Sequence, residues 1–307
     1  MIHLITKGGL GNQMFEYAFA LQMQQAFGEQ GICVNDLYHR YGPDKRKSAL
    51  HHFRLSENTK LLSPLKSTLY LFSLIATIAR TCGFRNLLHI LRRKLSTTTE
   101  EQSQLRKAGV YCTTGIFSYP DIIPSIARIK HAYGNFQDKK VINGIEDLLR
   151  SHFTVKTPPS GENKKQVQQI QQDNAVCVHI RRGDYLLPQY KQLQVCDEAY
   201  YREAMKQARK TLKNPVFYVF STGHEDLEWV RQNYNLGENV HYVDLDNPDY
   251  EELRLMMHCK HFIISNSTFS WWAAVLSNAA PDKQVWCPAT WLRGSDISMA
   301  LDSWNLI

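Results

Sequence analysis

Over residues 175–286, short apolar runs alternate with helical segments, and this alternation limits the fold more than any other feature of the chain. Ala175–Ile180, Pro215–Phe220, Val240–Val243, His261–Ile264 and Gln284–Trp286 are rich in β-branched and aromatic residues, as buried strands are. Between them, Asp197–Leu212, Glu225–Tyr234, Asp249–Cys259 and Thr268–Leu276 read as helices. Repeated strand–helix–strand units require crossover connections, and hence a parallel, Rossmann-like sheet. Ligands of such sheets bind beyond the carboxyl ends of the strands, so the residues just after each strand are the functional candidates.

Several of these strand ends are polar. The first runs into His179-Ile180-Arg181-Arg182-Gly183-Asp184-Tyr185. Two adjacent guanidinium groups suit a phosphate ester, because arginine offers planar, permanently charged donors that bond phosphate oxygens in pairs. A structural ion pair between one arginine and Asp184 fits the same residues. After the second strand, Ser221 and Thr222 could lie beside a nucleotide, while Glu225 and Asp226 complement the dipole of the following helix. After the fourth, Ser265-Asn266-Ser267-Thr268-Phe269-Ser270 opens a helix with more hydroxyls than an N-cap uses, as an anion site would. Trp271 and Trp272 read as packing aromatics. Asp244-Leu245-Asp246 offers two carboxylates that can hold Mg²⁺ or Mn²⁺ against a diphosphate. The paired arginines would neutralise a diphosphate without a metal.

The chain opens with a second α/β unit. Ile2–Thr6 reads as a strand, Lys7–Gln13 as a glycine-rich turn, Met14–Phe27 as a helix and Ile32–Asn35 as another strand. Gly9 and Gly11 permit close backbone approach to a ligand, or simply serve a tight turn, with Asn12 and Gln13 presenting amides. A dinucleotide fingerprint would need a third glycine and an acid after the second strand, and neither is in place. Residues 38–60 read as polar loop with short helix. Thr157-Pro158-Pro159-Ser160-Gly161 reads as a linker between an N-terminal domain, 1–156, and a C-terminal domain, 157–295, and residues 296–307 as a helix returning to the first. Residues 61–95 carry apolar side chains at helical spacing, bounded by Lys66, Arg80, Arg85 and Arg92-Arg93-Lys94. They fit a helical insertion packed on its own domain, or a basic amphipathic pair lying on a membrane face.

The 36 basic residues exceed the 29 acidic ones, for a net charge of +7. This favours anionic ligands or surfaces, and no nucleic-acid-binding signature accompanies it. Seven scattered cysteines without a CxxC pair argue against a disulfide framework or zinc site. Together with an N-terminus that reads as a strand rather than a signal peptide, they lead us to expect a cytoplasmic protein, at most peripheral on the inner membrane face.

Three blocks in order carry a family resemblance: Gly8-Gly9-Leu10-Gly11-Asn12-Gln13-Met14-Phe15-Glu16-Tyr17-Ala18, then His179–Tyr185, then Ser265-Asn266-Ser267-Thr268-Phe269-Ser270-Trp271-Trp272-Ala273-Ala274. The chain resembles bacterial α-1,2-fucosyltransferases of glycosyltransferase family 11. The resemblance implies a GT-B-like fold of two Rossmann-like domains facing a cleft, acceptor on the N-terminal side and GDP-fucose on the C-terminal side. It implies inverting, metal-independent transfer from GDP-β-L-fucose to the 2-hydroxyl of a terminal β-galactose, on an oligosaccharide or a lipid-linked glycan, with no cofactor. Arg181 would bind the β-phosphate, with His179 near the nucleotide. Ser267, Thr268, Phe269 and Ser270, beside Asn266, would hold phosphate or base, and Asn12 and Gln13 would face the reaction centre. Asp184 is the candidate base, or else it orients an arginine. The family's Phe-Ser-Asp-Asp block is Phe220-Ser221-Thr222-Gly223 here, which leaves the guanine-reading carboxylate unassigned. Other readings of the residues are an α-1,6-type fucosyltransferase and a non-catalytic binder of nucleotide sugars or glycans.

Overall fold

The computed structural model describes residues 1–29, 31–42, 46–91, 99–113 and 115–307, the side chains of 84–91 excepted. Arg92, Arg93, Lys94 and the side chain of Arg85, named above as flanking charges, lie outside the described residues. The chain divides into two compact units, Met1–Phe153 and Thr154–Ile307.

In the first unit, β1 (Ile2–Ile5), β2 (Ile32–Asn35), β3 (Thr59–Leu61), β4 (Val110–Cys112) and β5 (Lys130–Tyr133) form a parallel sheet in the order β3-β2-β1-β5-β4. The helix α1 (Leu10–Phe27) begins four residues earlier than the sequence pattern suggests. Gly9 is its extended N-cap, and the amides of Asn12 and Gln13 bond back to the Gly9 carbonyl. Gly11, Asn12 and Gln13 are therefore first-turn helical residues rather than turn residues. The remaining helices of the unit are α2 (Leu37–Tyr41), α3 (Pro64–Leu91), α4 (Thr99–Lys107) and α5 (Glu146–His152).

Strands β3 and β5 escape the periodicity argument because their residues are polar or mixed, and β4 because three residues are too few to show a period. In β5, Lys130 and His131 are buried. Lys130 is held by Glu29 at 2.6 Å, and His131 by His3, Nδ1 to Nδ1, at 2.8 Å. The Asn35 amide donates both to the Ser67 carbonyl and towards His3 Nε2. His3 Nε2 is then an acceptor, its proton sits on Nδ1, and His131 accepts it. Of the segment expected to be helical at 61–95, Pro64–Leu91 is helical, broken at Gly83, where φ is +79°. One face of α3 packs Leu74 and Ile78 against Ile5, Leu105 and Val110.

In the second unit, α6 (Gly161–Gln172) precedes β6 (Asn174–His179). There follow α7 (Glu198–Thr211), β7 (Pro215–Phe220), α8 (His224–Asn233), β8 (Val240–Tyr242), α9 (Asp249–Met257), β9 (His261–Ile263), α10 (Thr268–Leu276), β10 (Val285–Cys287) and β11 (Asn305–Leu306). The sheet is parallel throughout, in the order β8-β7-β6-β9-β10-β11. This is the doubly wound order, with its topological switch between β6 and β9. Val176, Val178, Phe217, Val219 and Ile263 meet Tyr201, Ala204 and Met205 of α7 in the core.

The helix expected at 296–307 is absent. That segment runs extended over its own unit: the Trp271 indole donates to the Met299 carbonyl at 2.7 Å, and β11 adds a strand beside β10. No helix of the described residues is long and apolar enough to cross a membrane.

Candidate active site

The switch point collects the polar strand ends. His179 closes β6, and its Nδ1 lies 3.0 Å from the Ser265 hydroxyl just beyond β9, which ties the two edges of the crevice together. Both residues are buried. Burial, with the Arg181 charge adding to it, lowers the His179 pKa to about 3. The imidazole is neutral at physiological pH, so it is a packing and hydrogen-bonding group and not a cation for phosphate.

The two arginines that follow have different surroundings. Arg182 lies over the Trp229 ring, 3.3 Å from its centroid, and its Nε is 3.3 Å from Asp226. Asp226 also accepts the Gly183 amide at 2.8 Å. Gly183 has φ +50°, and a Cβ there would come within 2.8 Å of Thr222, so the loop needs glycine at this point. Asp226 is thus the anchor of the arginine loop, where the sequence pattern suggests only a helix-dipole acid. Arg181 is held by Asp184 at 2.5 Å and lies 5.1 Å from the Tyr185 ring centroid. Its Nε–H is buried without a hydrogen-bond partner among the described residues. A buried, unanswered guanidinium donor at a switch point is one that an anionic ligand would satisfy.

The Ser-Thr-Phe-Ser stretch divides in the same way. Ser267 caps α10 by accepting from the Phe269 amide, and the Ser270 hydroxyl is buried and turned to the Ser267 carbonyl at 3.3 Å. Asn266 donates to the carbonyls of Leu193 and Trp291 at 2.8 and 2.9 Å, which makes it a buried tie between loops. Thr268 and Phe269 remain partly open, with the Phe269 ring 5.8 Å from His179. Helices α7, α8 and α9 carry acids in their first turns, whereas α10 carries none. The N-terminus of α10 therefore presents an uncompensated positive dipole end to the crevice.

Ser221 is buried, with its hydroxyl on the Ile180 carbonyl at 2.9 Å, while Thr222 is exposed, with its hydroxyl 3.4 Å from the Arg182 amide. Ser221 also lines a small pocket with Gly223, Val243, Asp246, Asn247 and Glu252. Glu252 keeps part of its surface open to this pocket. Burial, and then neighbouring Asp249, push its carboxyl up to about 8, against the opposing pull of Arg181. Glu252 lies in the first turn of α9, where any acid reads as a dipole partner, so the sequence pattern conceals it. Of the DxD pair, Asp244 contacts the His224 ring at 2.6 Å. Among the described residues no group of three or more His, Cys, Asp or Glu side chains is placed to hold a metal ion.

In the first unit, Gln13 is buried and fully committed. Its amide donates to the carbonyls of Gly8 and Lys47 and accepts from the Ala49 amide at 2.9 Å, which pins the 46–50 loop to the glycine turn. Gln13 thus shapes the turn instead of presenting its amide to a substrate. Asn12 accepts from the Gln137 side chain at 3.1 Å, and Gly8 leaves room for Asn12, since a Cβ there would fall 2.6 Å from its Nδ2. Beside Gly9, the Arg46 side chain lies 3.6 Å from where a Cβ would stand. Below the turn, Glu16 is fully buried, one oxygen accepting the Lys7 amide at 3.0 Å.

Comparisons with known proteins give the family and the fold. The family model "Glycosyl transferase family 11" matches residues 1–281. An O-antigen biosynthesis glycosyltransferase, WbnK, of Escherichia coli is 28% identical over 314 residues, covering 97% of each chain. An Escherichia coli alpha-1,2-colitosyltransferase is 33% identical over 47% of this chain and 50% of its own. Galactoside alpha-(1,2)-fucosyltransferase 1 of Saimiri boliviensis boliviensis is 31% identical over 43% of this chain and 39% of its own. In fold, the chain is similar to NodZ alpha-1,6-fucosyltransferase co-crystallised with GDP, at a TM-score of 0.50 and 14% identity over 90% of this chain and 91% of that one. The architecture is α/β of the GT-B kind, with two parallel sheets. The chain belongs to glycosyltransferase family 11, the α-1,2-fucosyltransferase family.

Proposed function

We propose that the protein transfers L-fucose from GDP-β-L-fucose to the 2-hydroxyl of a terminal β-galactose, with inversion at the sugar. The observation that carries this reading is Arg181: a partly exposed guanidinium whose buried Nε–H is unanswered among the described residues, held by Asp184 at the switch point of a doubly wound sheet. The bond between the fucose anomeric carbon and the β-phosphate oxygen breaks. The acceptor O2 bonds to that carbon from the opposite face, and its proton passes to solvent water. Arg181 and the N-terminus of α10 stabilise the charge that grows on the departing GDP, a preorganised arrangement that needs no metal. On this reading Asp184 positions Arg181, since its Oδ1 is engaged by the guanidinium. Glu252, at the pocket beyond β7 and β8, accepts from the guanine N1–H and amino group, the role that the altered block after Phe220 leaves vacant. The second unit, 154–307, is the donor domain, and the first, carrying Gly9, Gly11 and Asn12, is the acceptor side.

A second reading changes the sugar only. The 33% identity to an alpha-1,2-colitosyltransferase favours testing colitose, which lacks the 3-hydroxyl of fucose, as the donor sugar. The experiment is transfer of labelled fucose from GDP-fucose to a β-galactoside in excess EDTA, with GDP-colitose as competitor and with the variant Arg181→Ala. We expect a labelled product in EDTA, weak competition, and a loss of at least about 100-fold in kcat for a folded Arg181→Ala, as for other removed donors to a developing anion. Near-normal turnover by that variant would remove Arg181 from the mechanism, and a loss in EDTA reversed by Mn²⁺ would return the reaction to Asp244 and Asp246.

A further inference from the structure

The charge of the chain is not spread evenly. No Asp or Glu occurs between Glu57 and Glu100, and the segment between them holds Lys60, Lys66, Arg80, Arg85, Arg92, Arg93 and Lys94. Setting these seven cations aside leaves 29 basic residues against 29 acidic ones, so the whole excess of +7 resides in this one segment.

Within the segment, α3 has two apolar faces. One is the buried face of Leu74 and Ile78, and the other points away from the unit. Leu65, Leu69 and Phe72 are 73%, 59% and 63% exposed, and Ala76 and Arg80 continue the same stripe at helical spacing. Lys66 is exposed on its flank, and Leu61, just before the helix, is 47% exposed. Beside Arg80, the side chains of Ser73, Thr77 and Arg128 line an open hollow with no carboxylate in its wall. An apolar ridge bordered by cations and bare of acids matches the interfacial region of an anionic bilayer, where apolar side chains enter the acyl boundary and cations meet the phosphates. A second copy of the chain fits this face poorly, since it would bring the cations Lys66 and Arg80 against a face of like charge.

We propose that the outer face of α3, with Leu65, Leu69 and Phe72 as its inserting ridge and Lys66 and Arg80 at its borders, rests on an anionic lipid bilayer. The helix lies on the surface and does not span it. This contact is separate from the transfer chemistry and would keep the enzyme near lipid-linked acceptors.

The test is flotation of the full chain with vesicles of phosphatidylglycerol and phosphatidylethanolamine, against vesicles of phosphatidylcholine alone. We expect binding to the anionic vesicles at least about tenfold stronger than to the neutral ones, and weaker at high salt. The variant Leu65→Ser/Leu69→Ser/Phe72→Ser should lose at least about tenfold in binding, and Lys66→Glu/Arg80→Glu should lose roughly fivefold or more per site. Both variants should keep the wild-type circular dichroism and wild-type transfer to a soluble acceptor. Failure of the wild-type chain to float with anionic vesicles would overturn the proposal. So would unchanged flotation of the ridge variant, or light scattering that shows a dimer dissolved by the ridge mutations while flotation persists. Lost transfer by wild type with flotation intact would count against the proposed reaction only.

Discussion

Replacing Glu252 by glutamine should abolish a pH dependence of donor binding that the wild-type protein shows. In the free enzyme, burial holds the Glu252 carboxyl at about 8. Guanine offers donors on its N1 and amino edge, so it binds the ionised form. Donor affinity is therefore full above that pH and declines as pH falls below it, because the carboxyl must lose a proton to bind. Each pH unit costs about 1.4 kcal/mol, so roughly two units below the pKa affinity is down about 100-fold. In Glu252→Gln the side chain keeps its shape but loses the charge, and it turns an amide donor towards the donors of the base. Loss of a charge-assisted hydrogen bond costs about 1.5–3 kcal/mol, roughly ten- to 150-fold in affinity, with no slope from about pH 6 to 8.5. Calorimetric titration with GDP-fucose is the suitable assay, since its diphosphate diester keeps a constant charge over this range. A wild-type affinity that is flat with pH, or a Glu252→Gln protein with the same affinity and slope, would refute the assignment.

Three further outcomes follow from the same geometry. Asp226→Ala frees the Gly183 amide and the Arg182 guanidinium, so the KM for donor should rise about tenfold, as expected for loss of a charge-assisted bond, with kcat little changed. Asp226→Asn, which keeps an acceptor for Gly183, should recover part of the loss, and equal losses in both would contradict a positioning role. Gln13→Ala strands three backbone groups at the glycine turn and should destabilise the first unit by about 3 kcal/mol in urea unfolding; a change within error would show the tie to be idle. Finally, burial holds His3, His131 and His179 neutral, at about 3, 4 and 3. The unfolded chain takes up these protons below about 6.5 and the folded one does not, so stability is full above that pH and falls as pH drops towards about 4. Each histidine contributes at most about 1.4 kcal/mol per pH unit. Urea midpoints that stay constant from about pH 7.5 to 4.5 would argue against three neutral buried imidazoles.

The second unit is legible in the sequence because β6, β7 and β9 are largely apolar and buried and helices intervene at regular intervals, whereas β11, Asn305–Leu306, carries no such pattern. The first unit is legible only as far as β2, because β3, β4 and β5 are short and β3 and β5 are polar or mixed. Lys130 and His131 are buried only through Glu29 and His3, partners far away in sequence. At the switch point, the pattern of polar strand ends singles out the loops but does not rank the residues in them. His179, Asn266, Ser270 and Gln13 look like ligand groups and are committed to internal hydrogen bonds. Conversely, Asp226 and Glu252 look like ordinary first-turn acids. Their position, one anchoring the arginine loop and the other desolvated beside Ser221, depends on how α8 and α9 pack against the sheet.

The most direct measurement is the linkage and anomeric configuration of the product formed from GDP-β-L-fucose and a galactose-terminated oligosaccharide, determined by NMR. The account predicts a single α-linked fucose on O2 of the terminal galactose. A β-linked product, fucose on O6, or release of free fucose alone would contradict it.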